Sequence, residues 1–173
     1  MYPVLRLAKE FLVHRGPPDL GLFDTHVSRH LCWPQDIDPW MELNNGRTLT
    51  LYDLGRTVLF RRIGMVPVMR ARGWGGTVAS SSVRYRRRVR AFDRIQMRSR
   101  LVGWDARFFY VTQSMWRAGD CTSHALIRVA VTGRGGLVPT AEVASAVGAA
   151  SPPLPDWIRS WIDAEALRLW PPE

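Results

Sequence analysis

Apolar residues repeat along this chain with two periods, and the switches between them mark its elements. In "YPVLRLAKEFLVHR", Leu5, Ala8 and Leu12 fall on one helical stripe with Leu7 and Phe11 beside it, while Arg6, Lys9 and Arg15 lie on other faces. The spacing predicts an amphipathic helix, ended by "GPPDLG", that packs its apolar stripe on the domain. "HVSRHLCW" changes to strict alternation, with Val27, Arg29, Leu31 and Trp33 set against Ser28, His30 and Cys32. It reads as a strand ending at Pro34.

The helical period returns from Asn44 or Asn45 to about Met65. Leu51, Leu54, Val58 and Ile63 repeat there, with Leu49, Leu59 and Phe60 alongside. Apolar side chains occupy much of the circumference, so this helix is expected to be central and buried. Asn44 or Asn45 is a good N-cap, and Asp53 and Arg56, three apart, can pair on one face. "RARGWGGT" reads as a glycine-rich loop. Four strand-like runs follow: "VASSSVRYRRRV", "RIQMRSRLVGW", "RFFYVTQSMW" and "CTSHALIRVAVT". Arg117–Asp120 is a tight turn signal, and Ser123, Ala125, Ile127, Val129 and Val131 share one face of the last run. Short connections predict an antiparallel meander. "SPPLP" is a break, and "DWIRSWIDAEALRLW" a closing helix. The order predicts one α+β domain over 1–173, with an antiparallel sheet of about five strands wrapped around one long helix. Residues 1–20 form the N-terminal helix and linker, 23–133 the core, and 139–173 a C-terminal helical extension.

Composition narrows the class. The 173 residues are 46% hydrophobic and 10% aromatic, values of a globular chain. No apolar run approaches the roughly 20 residues needed to cross a bilayer, and no signal-peptide cleavage site follows the first apolar stretch. Cys32 and Cys121 sit far apart in apolar contexts and read as buried thiols in a reducing compartment, not as metal ligands or a disulfide. A cytoplasmic location is expected. The net charge of +9 is almost all arginine, Lys9 being the only lysine. A basic surface favours polyanionic partners. The basic N-terminal helix raises a further expectation, peripheral contact with a membrane surface, ranked behind packing on the domain.

Candidate chemistry concentrates in "DIDPWMELNNGRTLTLYDLGR" (36–56), where Asp36, Asp38, Glu42, Asn44 and Asn45 crowd ahead of the long helix. The carboxylates suit acid–base or nucleophilic work beside a helix N-terminus, whose backbone N–H groups suit an oxyanion. Plainer readings stand beside this one. Asp36 and Asp38 can hydrogen-bond their own turn, the asparagines can cap the helix, and Glu42 can be solvated. Arg84, Arg86, Arg88 and Arg90 should share one strand face by alternation. That face reads first as solvated surface, second as a grip for phosphates and third as a nucleic-acid contact.

This segment resembles the hotdog-fold thioesterases of the 4-hydroxybenzoyl-CoA thioesterase type. It is closest to a branch with the motif D-x-D-x-x-x-H-M-N-N-x-R-Y-L, onto which Asp36, Asp38, Asn44, Asn45, Arg47, Leu49, Asp53 and Arg56 fall without gaps. "FDRIQMRSRLVGWDARFFYVTQSMW" resembles the family's central strands, and "YPVLRLA" is similar to bacterial members. The family's histidine is Glu42 here, its methionine Leu43 and its tyrosine Thr48. The resemblance implies a hotdog fold and an acyl-CoA thioesterase that needs no cofactor or metal. It places the attacking carboxylate or general base on Asp38, with Asn44, Asn45 and Glu42 as further catalytic candidates. Gly75 and Gly76 would approach the thioester, and Arg86 and Arg88 the coenzyme A phosphates; Asp36 reads as structural. A homodimer or dimer of dimers is implied, and no nucleic acid is expected. The alternatives are a non-catalytic acyl-thioester binder and, last, a hotdog dehydratase or hydratase, since His14, His26, His30 and His124 all lie outside the motif.

Overall fold

The long helix of the motif forms as α2 (Asn45–Arg62), and everything else is arranged around it. The computed structural model describes residues 4–169 and 171–172. Around α2 lie α1 (Val4–Val13), α3 (Met65–Ala71), α4 (Thr140–Val147) and α5 (Asp156–Ala166). The strands are β1 (Thr25–Leu31), β2 (Gly75–Tyr85), β3 (Arg94–Trp104), β4 (Phe109–Arg117), β5 (Asp120–Gly133) and β6 (Gly136–Val138). The outermost residues of the two predicted terminal helices, Tyr2, Pro3 and Trp170, lie outside the described residues.

Asn44 caps α2: its side-chain oxygen accepts from the Gly46 and Arg47 amides. Gly64, at φ 79°, separates α2 from α3, so the predicted helix splits where only glycine sits without strain. Leu51, Leu54 and Leu59 of α2 are buried against the inner face of the sheet, where Ile95, Met97, Leu101, Val111, Ile127 and Val129 supply the other half of the core. Each such side chain contributes roughly 1.5–3 kcal/mol on burial. Gly55 sets the helix–sheet distance. A Cβ there would meet Met97 Cε at 2.7 Å and Ser99 Oγ at 2.8 Å.

All pairings in the six-stranded sheet are antiparallel, in the order β1-β3-β4-β5-β2, with β6 folded back on the end of β5. Only β3, β4 and β5 form the predicted meander. β2 does not pair with β3 but crosses to the far edge and pairs with β5, because the eight residues after Tyr85 leave the sheet and pass over the N-terminus of α2. The expected glycine-rich loop is partly strand: Gly75 and Gly76 pair with Thr132 and Val131. The result is a sheet wrapped around one buried helix, the hotdog arrangement. Helix α5 covers part of the outer face, with Ile158 buried on Tyr110 and Leu126.

Helix α1 forms and Leu7 packs on the core, but the expected stripe of Leu5, Ala8 and Leu12 faces out. Leu5 and Leu12 are 86% and 68% exposed, whereas Glu10 is 2% exposed. Beside Leu7 the inner face is polar because its neighbours are polar. The Arg6 guanidinium bonds Asp36 and the Leu31 carbonyl, and Lys9 Nζ bonds the Arg29 carbonyl. On β1, likewise, His26, Ser28 and His30 point inward while Val27 and Arg29 point out.

Candidate active site

Asp36 is a strut. Its carboxylate is buried, accepts from Arg6 Nη1 at 3.1 Å and from the Trp33 amide at 2.9 Å, and its carbonyl accepts from the Asn44 amide at 2.9 Å. It thereby ties α1 to the start of α2. Asp38 closes the next turn. Its Oδ1 accepts from the Trp40 amide at 2.9 Å and the Glu42 amide at 3.4 Å, while its own N–H donates to the Glu42 carbonyl at 2.9 Å. Met41, at φ 61°, takes the left-handed conformation this tight loop requires. Asp38 thus holds Glu42 in place.

Glu42 faces a cavity of about 290 Å³ over the N-terminus of α2. The walls come from Leu43, Asn45 and Thr48, from the Tyr85–Val89 segment, and from Met115, Thr122 and Ser123. Three hydroxyls in the wall are committed: Thr48 Oγ1 to the Asn44 carbonyl, Thr122 Oγ1 to the Met115 carbonyl, and Ser123 Oγ to the Tyr52 hydroxyl at 2.8 Å. The Asn45 amide has no acceptor among the described residues, whereas Asn44 spends its side-chain oxygen on the Gly46 and Arg47 amides. The cavity therefore pairs a carboxylate with an open backbone donor at the positive end of a helix dipole.

The arginine segment reaches the cavity because it is pinned on two sides. The Arg86 and Arg87 amides both donate to the Thr122 carbonyl, and buried Val89 accepts from the Leu43 amide at 2.8 Å. Arg88 Nε lies 3.1 Å from Glu42 Oε2. The four alternating arginines do not share a face. β2 ends at Tyr85, so Arg84 stays on the outer face of the sheet opposite His124, while Arg86 and Arg88 line the cavity.

Gly75 and Gly76 lie at the other end of β2, whose 11 residues span roughly 35 Å. Gly76 lines a separate cavity of about 330 Å³ with Asp53, Arg56, Phe60 and Met69. Within one chain the glycines and the arginines therefore do not meet. Sequence reasoning met Thr48 only as a departure from the family's tyrosine, and missed Thr122 and the Tyr52–Ser123 pair. The inward alternation of β5 carried a signal for Ser123 alone.

No histidine lines the Glu42 cavity. Among the described residues, Glu10, His14 and His26 bring potential ligand atoms within 4.8 Å of one another. They do not fit a metal. Arg62 Nη1 lies 3.0 Å from His26 Nδ1 and can only donate, so the imidazole proton sits on Nε2 and no lone pair faces the cluster. Burial, reinforced by Arg62, pushes His26 down to about 3, and burial pushes His30 down to about 4. Burial pushes the Cys32 thiol up to about 11, an unreactive thiol.

Comparison with known proteins places this geometry in a class. Residues 32–162 match the model of the thioesterase-like superfamily, and the chain belongs to that family. It is 34% identical to protein THEM6 of Xenopus laevis over 92 residues, 53% of this chain and 44% of that one. It is 32% identical to protein THEM6 of Drosophila melanogaster over 98 residues, 56% and 51% of the two chains. The chain spans about half the length of these curated relatives. Among solved structures, YbaW of Escherichia coli superposes with a TM-score of 0.65 at 17% identity, over 70% of this chain and 95% of that one. Slr0204, a 1,4-dihydroxy-2-naphthoyl-CoA thioesterase from Synechocystis, gives 0.60 at 9% identity, over 72% and 95%. These likenesses establish the hotdog fold.

Proposed function

We propose that this chain hydrolyses acyl thioesters, with acyl-CoA as the substrate class, in the cavity over the N-terminus of α2. The observation that carries the reading is one cavity lined by the Glu42 carboxylate, by Asn45, whose backbone amide has no acceptor among the described residues, and by Arg86, Arg87 and Arg88. Glu42 takes a proton from water as its oxygen attacks the thioester carbonyl. The Asn45 N–H receives the oxyanion. As the tetrahedral intermediate collapses, the C–S bond breaks and the proton passes from Glu42 to the departing sulfur, giving acid and thiol. Arg88 orients Glu42, and the exposed Arg86 and Arg87 suit the phosphates of coenzyme A.

A second reading rests on Asp38, where the motif places the carboxylate. Only its Oδ1 is engaged by the turn, which leaves Oδ2 open for direct attack and an anhydride intermediate.

A homodimer through β2 supports the same chemistry. β2 is an edge strand, and most of its residues are exposed, Val78 at 45% and Tyr85 at 46%. Such an edge invites pairing. Antiparallel β2–β2 pairing would carry the glycine end of one copy toward the arginine end of the other. A cytoplasmic setting accords with both cysteines being free thiols.

Thiol release from short, long and aromatic acyl-CoAs tests the reading. Saturable hydrolysis of at least one class is expected. Binding of acyl-CoA without turnover of any class would make the chain a non-catalytic acyl-thioester binder.

A further inference from the structure

Arg84 belongs to no part of the thioester cavity. It stands on the outer face of the sheet in a continuous cross-strand row: Arg84 beside His124, then Ser114, Arg98 and Val27. The next row runs Ser82, Leu126, Thr112, Arg100 and Thr25. Helix α5 covers one end of these rows, and between helix and sheet opens a groove of about 530 Å³. Ser82, Arg84, His124 and Leu126 form its sheet side; Trp157, Ser160 and Trp161 form its helix side. The groove adjoins a smaller depression holding Arg98 and Arg100, with His124 lining both.

We infer that this groove is a second ligand site, on the opposite face of the sheet from the thioester cavity, for a small organic carboxylate with an apolar body. Its volume lies in the range of small-molecule pockets, and it combines apolar walls with a few convergent polar groups, as such pockets do. Leu126, Trp157 and Trp161 supply the walls, and the His124 ring meets Trp157 edge-on at 5.7 Å. The polar groups are one cation and two hydroxyls. Among the described residues Arg84 has no carboxylate partner, and neither the Ser82 nor the Ser160 hydroxyl has a bond. No carboxylate lines the groove.

The charge behind the walls has the same sign. The Arg128 guanidinium lies 5.0 Å from the Trp161 ring and 4.7 Å from the Phe108 ring, and its buried Nε has no hydrogen-bond partner. A cationic ligand would be repelled by this face. A neutral apolar one would strip water from Arg84 and return nothing. A carboxylate answers the guanidinium with a charge-assisted, bidentate pair, and its body covers the tryptophans. The acids released by thioester hydrolysis have this form, but the inference stands on the groove alone and holds whether or not the other cavity turns over.

Binding of 2-naphthoate to the purified full chain, followed by calorimetry and tryptophan fluorescence, tests it. Saturable binding is expected, at least tenfold tighter than that of methyl 2-naphthoate. Arg84→Gln should weaken it at least tenfold and Trp157→Ala several-fold, while Glu42→Gln leaves it unchanged. Both groove residues are exposed, so circular dichroism should show both variants folded; Arg98→Gln, further along the face, should weaken binding less. Absence of saturation at millimolar acid would overturn the inference, as would equal affinity for acid and ester. So would weakening by Glu42→Gln but not by Arg84→Gln, which would place the acid in the thioester cavity.

Discussion

Glu42 Oε2 and Arg88 Nε lie 3.1 Å apart, and this pair joins the loop before α2 to the segment that leaves β2. The two side chains are half-buried and exposed respectively, at 31% and 68%. As a contribution to stability such a pair is small, about 0–1 kcal/mol. Its consequence is orientation: it turns the carboxylate toward the cavity and leaves the rest of the guanidinium facing the rim. Arg88→Ala should therefore lower kcat as well as raise KM, with little change in melting temperature. A fall in melting temperature with unchanged kinetics would make the pair purely structural.

Arg86 separates grip from chemistry. It is exposed and does not touch Glu42, so Arg86→Ala should raise KM for acyl-CoA about tenfold, the loss of one charge-assisted phosphate contact. kcat should stay unchanged, because the phosphates are held equally in ground and transition states. Acyl-pantetheine, which lacks the nucleotide phosphates, should not register the change, and the effect should shrink at high salt. An unchanged KM for acyl-CoA would return Arg86 to plain surface charge.

Asp38 offers a test between the two catalytic readings. Asparagine keeps an oxygen where Oδ1 accepts from the Trp40 and Glu42 amides. If Asp38 only positions the loop, Asp38→Asn should reduce kcat less than about tenfold, and Asp38→Ala, which loses the acceptor, should reduce it more. A loss of ~10²–10⁴ in Asp38→Asn would mark Asp38 as the attacking or basic group.

Gly55 is predicted to be intolerant of any side chain. A Cβ would meet Met97 Cε at 2.7 Å and Ser99 Oγ at 2.8 Å. Met97 is flexible, but Ser99 Oγ also accepts from Gln113 Nε2 at 2.8 Å and cannot withdraw freely. Gly55→Ala should cost about 1–3 kcal/mol through overpacking, a drop in melting temperature of roughly 2–12 °C for a domain of this size. An unchanged or raised melting temperature, measured by scanning calorimetry, would show that the contact relaxes freely.

The inward histidines of β1 set an acid limit. Burial holds His26 at about 3 and His30 at about 4, against 6.5 for the exposed group. Below pH 6.5 the unfolded chain binds protons that the folded chain refuses, so stability falls as pH falls from 6.5 toward 4 and is unaffected by these groups above 6.5. Carboxylates with lowered values, such as Asp93, act mainly below this window. Between pH 7.0 and 4.5 each histidine should account for about 2–3 kcal/mol. The loss in unfolding free energy over that interval should be smaller by this amount in His30→Gln. An equal loss in both proteins would place the acid sensitivity elsewhere.

Much of the fold was legible because it is written in period. α2, β3, β4, β5 and α5 follow from spacing alone, since each keeps one apolar period unbroken along its length. The α1 orientation was not legible: periodicity identifies an apolar face, but Arg6 turns inward because Asp36 and the Leu31 carbonyl await it, and those are tertiary neighbours. The place of β2 was hidden for a related reason. Alternation runs through Tyr85 into the arginines without a break, and only the crossing over α2 shows where the strand ends. At the site, the crowding of Asp36, Asp38 and Glu42 was plain, but their division into strut, clamp and cavity carboxylate depends on which amides each one meets. Alternation makes the arginine run one surface, but Arg86 and Arg88 rim the Glu42 cavity while Arg84 stands beyond it.

In the proposed reaction Glu42 activates water for thioester hydrolysis. The most direct measurement is kcat for an acyl-CoA that the wild-type protein turns over, compared with Glu42→Gln, which keeps the shape and the contact with Arg88 but cannot take a proton. A fall of ~10²–10⁴ in kcat with KM changed little is expected. Wild-type kcat in Glu42→Gln would contradict it.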